Sequence, residues 1–143
     1  MARIKHIALT TSDPAKAAAF YKEAFGLKEV RRSPRGAVFL TDGYINVAIL
    51  NHKTEKDADV GAHGANFNGI HHFGFEVEDI DEAATRLRHA NARELTSKEP
   101  TDTVADGYRN FEMKWSGPDG VVIDISETGW YNGGQGGDER APS

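Results

Sequence analysis

Hydrophobic and polar positions along this chain alternate between a period of two and a period of 3.6. Residues 3–11 carry Ile4, Ile7 and Leu9 interleaved with His6 and Ala8, apolar on both sides, as in a strand covered on both faces. Asp13-Pro14 then signals a helix start, with Asp13 as N-cap and Pro14 at the first helical position. Ala17, Ala18, Tyr21, Ala24 and Phe25 fall on one face of that helix, and Gly26 stops it. Residues 27–31, 37–41 and 44–50 read as three short strands, turned at Arg35-Gly36 and Asp42-Gly43.

After a polar, glycine-punctuated stretch over 51–69 the order repeats. A strand through Ile70-His71-His72-Phe73-Gly74-Phe75-Glu76 runs into Asp79, which caps a helix with Ile80, Ala83, Ala84, Leu87 and Ala90 on its buried face. Strands at 93–96, 109–115 and 121–126 follow, with a loop over 97–107 and a turn at Pro118-Asp119-Gly120. The repeat has a fixed offset. His72 lies 66 positions after His6, and Ala83, Ala84, Leu87 and Ala90 lie 66 after Ala17, Ala18, Tyr21 and Ala24. The two Asp-Gly turns are 77 apart, so the second half carries an 11-residue insertion, falling in the loop where binding segments commonly lie. The expected organisation is a first βαβββ module over 1–50, a linker over 51–69, a second module over 70–127 and a flexible tail over 128–143 that docks only Trp130 and Tyr131.

Composition narrows the chemistry. The 143 residues are 38% hydrophobic and 27% charged, ordinary values for one globular domain. A net charge of -5 with mixed signs gives no electrostatic footprint for nucleic acid. The absence of cysteine excludes disulfides, thiolate metal sites and cysteine nucleophiles. No apolar run approaches a membrane span, and a cytoplasmic protein is expected.

Three residues stand out. Asp124 is a single carboxylate inside the apolar run Val121-Val122-Ile123-Asp124-Ile125, where burial demands a partner. Either a metal or a cation such as Arg109 or Lys114 would serve. His6 and His72 hold equivalent places in the repeat, and two histidines with one carboxylate form a donor set that leaves coordination positions open. Glu76 shares the strand face of His72 and is a candidate base; Arg109 is a candidate anchor for a substrate carboxylate or phosphate. His71 is expected to point away from His72 and to act in packing or in support of it, and Trp115 is expected in the core.

The stretches His6-Ile7-Ala8-Leu9 with Asp13, Gly69 to Ile80, and Gly117-Pro118-Asp119-Gly120-Val121-Val122-Ile123-Asp124-Ile125 resemble the vicinal oxygen chelate superfamily. That superfamily includes glyoxalase I, methylmalonyl-CoA epimerase, extradiol dioxygenases, and the fosfomycin and bleomycin resistance proteins. The resemblance covers about residues 3–127. It implies an α+β fold of two tandem βαβββ modules forming a curved mixed half-barrel sheet, helices outside, and a homodimer. It also implies a divalent metal (Fe, Mn, Zn, Ni or Mg) on His6, His72 and Asp124, and an enzyme whose small substrate chelates that metal through neighbouring oxygens.

Two positions depart from the family's pattern. Asp124 stands where the family usually has Glu. No carboxylate occupies the last strand of the first module, where counting from the turn glycine brings Val47 opposite Asp124 and Ala48 is its neighbour. That weakens a glyoxalase-type reaction relative to a dioxygenase-type one. The alternative is a metal-free drug-binding protein of the same superfamily, with Trp115, Trp130, Tyr108 and Phe39 lining its cleft.

Overall fold

A computed structural model describes residues 1–103 and 109–130. Its elements run β1 (Arg3–Thr11), α1 (Pro14–Phe25), β2 (Lys28–Arg32), β3 (Val38–Thr41), β4 (Asn46–Asn51), β5 (Gly69–Glu76), α2 (Ile80–His89), β6 (Arg93–Thr103), β7 (Arg109–Ser116) and β8 (Val122–Ser126). The strands form one curved mixed sheet in the order β2-β3-β4-β1-β5-β8-β7-β6. Each half uses the same pairing. β1 lies parallel to β4 as β5 does to β8, and the two halves join where β1 meets β5 antiparallel.

Local chemistry sets the helix ends. The Asp13 side chain accepts from the Lys16 N–H, and that of Asp79 accepts from Asp81 and Glu82. Gly26 ends α1 in the left-handed conformation at φ 71°. Among the described residues no helix is long and apolar enough to cross a membrane.

Strand alternation then divides the sheet into two faces. On the helix side of the first half, Leu9, Val38, Leu40, Val47 and Ile49 pack with Ala18 and Tyr21 of α1. In the second half Met113, Trp115, Ile125 and Phe75 pack with Ile80 and Ala84 of α2. Residues of the other parity (His6, Ala8, Asn46, Ala48, His72, Gly74, Lys114 and Asp124) therefore line the opposite, concave face.

Several expectations need correction. Ala24, Phe25 and Ala90, at the C-terminal ends of the two helices, are exposed. Phe25 instead joins an aromatic cluster with Phe20 and Tyr21 on the outside of α1. β6 continues to Thr103 through the expected loop. Its polar sequence has no apolar alternation to betray it, and Pro100 is tolerated because β6 is an edge strand. Trp115 is fully buried on the α2 side, so it lines no cleft.

The Asp42-Gly43 turn is longer than a two-residue hairpin. Asp42 Oδ1 accepts from the N–H groups of both Tyr44 and Ile45, and β4 begins only at Asn46. This shifts the register by one. His6 pairs with Asn46 and Ala8 with Ala48, while His72 pairs with Val122 and Gly74 with Asp124. The counterpart of Asp124 is thus Ala48 and not Val47. Tyr108, and the tail from Tyr131 onward, lie outside the described residues.

Candidate metal centre

β1 and β5 bring the two equivalent histidines to the middle of the concave face, and β8 adds Asp124 beside them. His6 Nε2 lies 3.3 Å from His72 Nε2 and 3.8 Å from Asp124 Oδ2, and His72 Nε2 lies 3.1 Å from the same oxygen. All three residues are buried. A point in their plane equidistant from the three atoms lies about 2.0 Å from each, the length of a metal–imidazole or metal–carboxylate bond.

Hydrogen bonding determines what these atoms offer. Asn46 Oδ1, 2.8 Å from His6 Nδ1, can only accept, so the His6 proton sits on Nδ1 and Nε2 carries a lone pair. Burial, and next the neighbouring His72, push the His6 pKa down to about 3, which keeps that ring neutral. On the other side the Val60 carbonyl, 3.0 Å away, accepts a hydrogen bond from the His71 Nε2–H. Burial lowers the His71 pKa, so this imidazole is neutral and its Nδ1 is an acceptor. That Nδ1 lies 2.7 Å from His72 Nδ1. With the His72 proton on that nitrogen, its Nε2 would turn a lone pair toward His6 Nε2 and Asp124 Oδ2. Neutral imidazoles with an ionised carboxylate are the form a divalent metal binds.

Around the triad the second half supplies charge. Lys114 Nζ on β7 lies 3.0 Å from both oxygens of Asp124, 2.9 Å from Glu112 and 3.6 Å from Asp59. Burial alone would lower the Lys114 pKa; Asp124, Glu112 and Asp59 outweigh it and hold the ammonium protonated well above its ordinary value. Burial likewise opposes ionisation of Asp124, but Lys114 in contact with both oxygens keeps it a carboxylate far below the usual range. The two partners proposed for Asp124 from sequence are thus compatible: Lys114 pairs with it while one oxygen still faces the histidines.

Trp130 closes the face. Its ring stacks on His6 with centroids 4.6 Å apart and planes 8° off parallel, and its Nε1 donates to Glu112 Oε2 at 3.0 Å. The space comes from Gly74: a Cβ there would stand 2.7 Å from the Trp130 ring.

The other expected site residues fall elsewhere. Glu76 is four residues beyond His72 on β5, roughly 13 Å along the strand, in register with Arg3 and Ser126. Arg109 opens β7, and its side chain lies outside the described residues. Sequence reasoning missed Asn46 and Asp59 as neighbours of the site. Glu112, which the sequence places near the cavity on the strand after the inserted loop, does lie beside Lys114.

Comparisons with known proteins agree with the fold. A sequence profile of the Glyoxalase/Bleomycin resistance protein/Dioxygenase superfamily matches residues 3–125. Over 104 residues the chain is 35% identical to the ethylmalonyl-CoA/methylmalonyl-CoA epimerase of Cereibacter sphaeroides, spanning 68% of this chain and 78% of that one. Over 105 residues it is 28% identical to the mitochondrial methylmalonyl-CoA epimerase of Homo sapiens, covering 68% of this chain and 59% of the human protein's length. Among solved structures, a variant of the Streptomyces coelicolor methylmalonyl-CoA epimerase in complex with 2-nitronate-propionyl-CoA superposes with a TM-score of 0.59 at 23% identity. That match covers 87% of this chain and 95% of the other, and supports the fold alone. On the profile match and the shared fold, the chain belongs to the Glyoxalase/Bleomycin resistance protein/Dioxygenase superfamily.

Proposed function

We propose that this protein is a metal-dependent enzyme whose substrate presents two neighbouring oxygens to a divalent ion held by His6, His72 and Asp124. One observation carries the reading: two imidazole nitrogens and a carboxylate oxygen, the rings held by hydrogen bonds, face one point. Bound there, the metal supplies a Lewis acid that stabilises negative charge developing on the substrate's oxygens.

The chain's own residues do the rest. Asn46 and His71 orient the two rings. Lys114 keeps Asp124 ionised. Trp130 excludes water from the His6 side. Ala8, Ala48 and Gly74 put no polar side chain beside the three proposed ligands. Glu112, joined to Asp124 through Lys114, is the proposed proton acceptor in place of the more distant Glu76. Arg109 stays the proposed anchor for a substrate carboxylate or phosphate.

The likeness to acyl-CoA epimerases supports proton transfer at the carbon next to a thioester carbonyl as the reaction. A second reading, oxygenation of a catechol-type substrate, is favoured by Ala48, which leaves a two-histidine, one-carboxylate donor set. The test is solvent-deuterium exchange of the methylmalonyl-CoA α-proton by chelator-treated protein reloaded with Mn²⁺, Co²⁺, Zn²⁺ or Fe²⁺. Metal-dependent exchange abolished in His72→Ala is expected. Exchange at the background rate, with oxygen uptake on catechol under Fe²⁺, would move the assignment to the second reading. Neither activity, with no metal retained, would leave a binding protein.

A further inference from the structure

His71 immediately precedes a proposed ligand, and its ring turns back to meet that ligand's ring: the two planes cross at 84° with centroids 5.0 Å apart. Its other nitrogen ends on the backbone of the segment joining the two halves. That segment is held firmly where His71 meets it. Asp59, buried, is tied to Lys53 at 3.0 Å and to Lys114 at 3.6 Å. Gly61 sits in the left-handed conformation at φ 85°, and a Cβ there would touch both Val122 and the His71 ring, at 3.4 and 3.5 Å. Between these two residues the Val60 carbonyl faces His71 Nε2 at 3.0 Å.

We propose that His71 is a positioning residue for the metal centre: the Val60 carbonyl fixes the His71 tautomer, and His71 in turn fixes the proton of His72 on Nδ1. Without that acceptor, the His72 proton is free to move to Nε2, where Asp124 Oδ2 at 3.1 Å would accept it and a metal would have to displace it. The inference rests on reading His6, His72 and Asp124 as the ligands, and it adds a role for the linker that the ligands alone do not have. The inter-module segment becomes part of the metal site through its backbone.

Two measurements test it. The first uses metal-free protein with ¹⁵N-labelled histidine, in which long-range ¹H–¹⁵N correlations report the tautomer of each ring. His72 as the Nδ1–H form is expected; His72 as the Nε2–H form in the wild-type chain would overturn the proposal. This arm holds whether or not any metal binds, so it separates failure of the relay from failure of the metal reading. The second is a Zn²⁺ competition titration. His71→Phe keeps an aromatic ring and removes the acceptor, and is expected to weaken zinc binding by about 10–100-fold. His71→Asn restores an acceptor near the Nδ1 position and is expected to bind close to wild type. Equal zinc affinity in His71→Phe and the wild type, or no recovery in a folded His71→Asn, would count against a positioning role. Should His71→Phe fail to fold, the tautomer measurement and the His71→Asn titration still decide.

Discussion

The two halves of this molecule share a chain path and differ in what they place on the concave face. At matching register the first half has Ala48 where the second has Asp124, and Asn46 where the second has Val122. His6 is held by a side chain from the strand beside it, whereas His72 is held by the residue before it on its own strand. Lys114, Glu112 and Asp124 belong to the second half, which therefore carries the charge, while the first contributes one imidazole and small apolar neighbours. Duplication supplied two equivalent places for a ligand. Divergence then made one half the charged support of the site and left the other with one imidazole among small uncharged neighbours.

Breaking the charged half has the largest expected effect. Asp124→Ala removes the carboxylate that Lys114 grips through both oxygens and leaves that ammonium to Glu112 and Asp59, which costs about 3 kcal/mol in chemical denaturation and abolishes metal retention. Making the halves alike is the converse. Ala48→Asp buries a second carboxylate facing the first, so the metal-free variant is expected to lose on the order of 2 kcal/mol, and a divalent metal to restore most of it. A thermal shift upon Zn²⁺ addition no larger than in wild type would contradict the assigned register.

Ala8 and Gly74 give a smaller contrast, since a methyl fits in the first half and not in the second. Gly74→Ala is expected to push Trp130 off His6 at a cost of about 1–3 kcal/mol, seen as a red-shifted tryptophan emission. Unshifted emission would mean that the tryptophan does not sit where the stacking requires.

The smallest effect lies at the outer edges. Each helix reaches its following strand by an ion pair, Lys22 to Glu29 at 2.8 Å and Arg88 to Glu94 at 3.1 Å, and the two cations are again 66 apart. Arg32 and Lys22 lower the Glu29 pKa from 4.5 to about 2. A carboxyl depressed in the folded state adds stability that is full above its unfolded pKa and lost as pH falls through its folded one. Glu29→Gln is therefore expected to cost under about 1 kcal/mol at neutral pH, a difference that shrinks between pH 4.5 and pH 2.

Much of this was legible in the sequence because duplication leaves two copies of each signal. The offset of 66 identified both first strands, both helices and the two histidines, and strand alternation put His72, Gly74 and Glu76 on one face. Asp124 was legible as a carboxylate in an apolar run. What remained hidden depends on geometry that pattern does not encode. The extended Asp42 turn moved the register by one residue and made Ala48, not Val47, the partner position. β6 has a polar sequence with no apolar alternation to mark it as a strand. Residues 51–69 read as a plain linker because their contributions, the Val60 carbonyl and the Asp59 carboxylate beside Lys114, leave no periodic pattern. Trp130 was expected to dock, but only packing could show that it docks on His6.

Metal content tests the central claim most directly. The chain purified without chelators, and its His72→Ala variant, are compared by elemental analysis. The account predicts about one divalent ion per wild-type chain and almost none in a folded variant, as expected for a site with three protein ligands. A metal-free wild-type protein that takes up no divalent ion on titration, or the same metal content in both proteins, would contradict it.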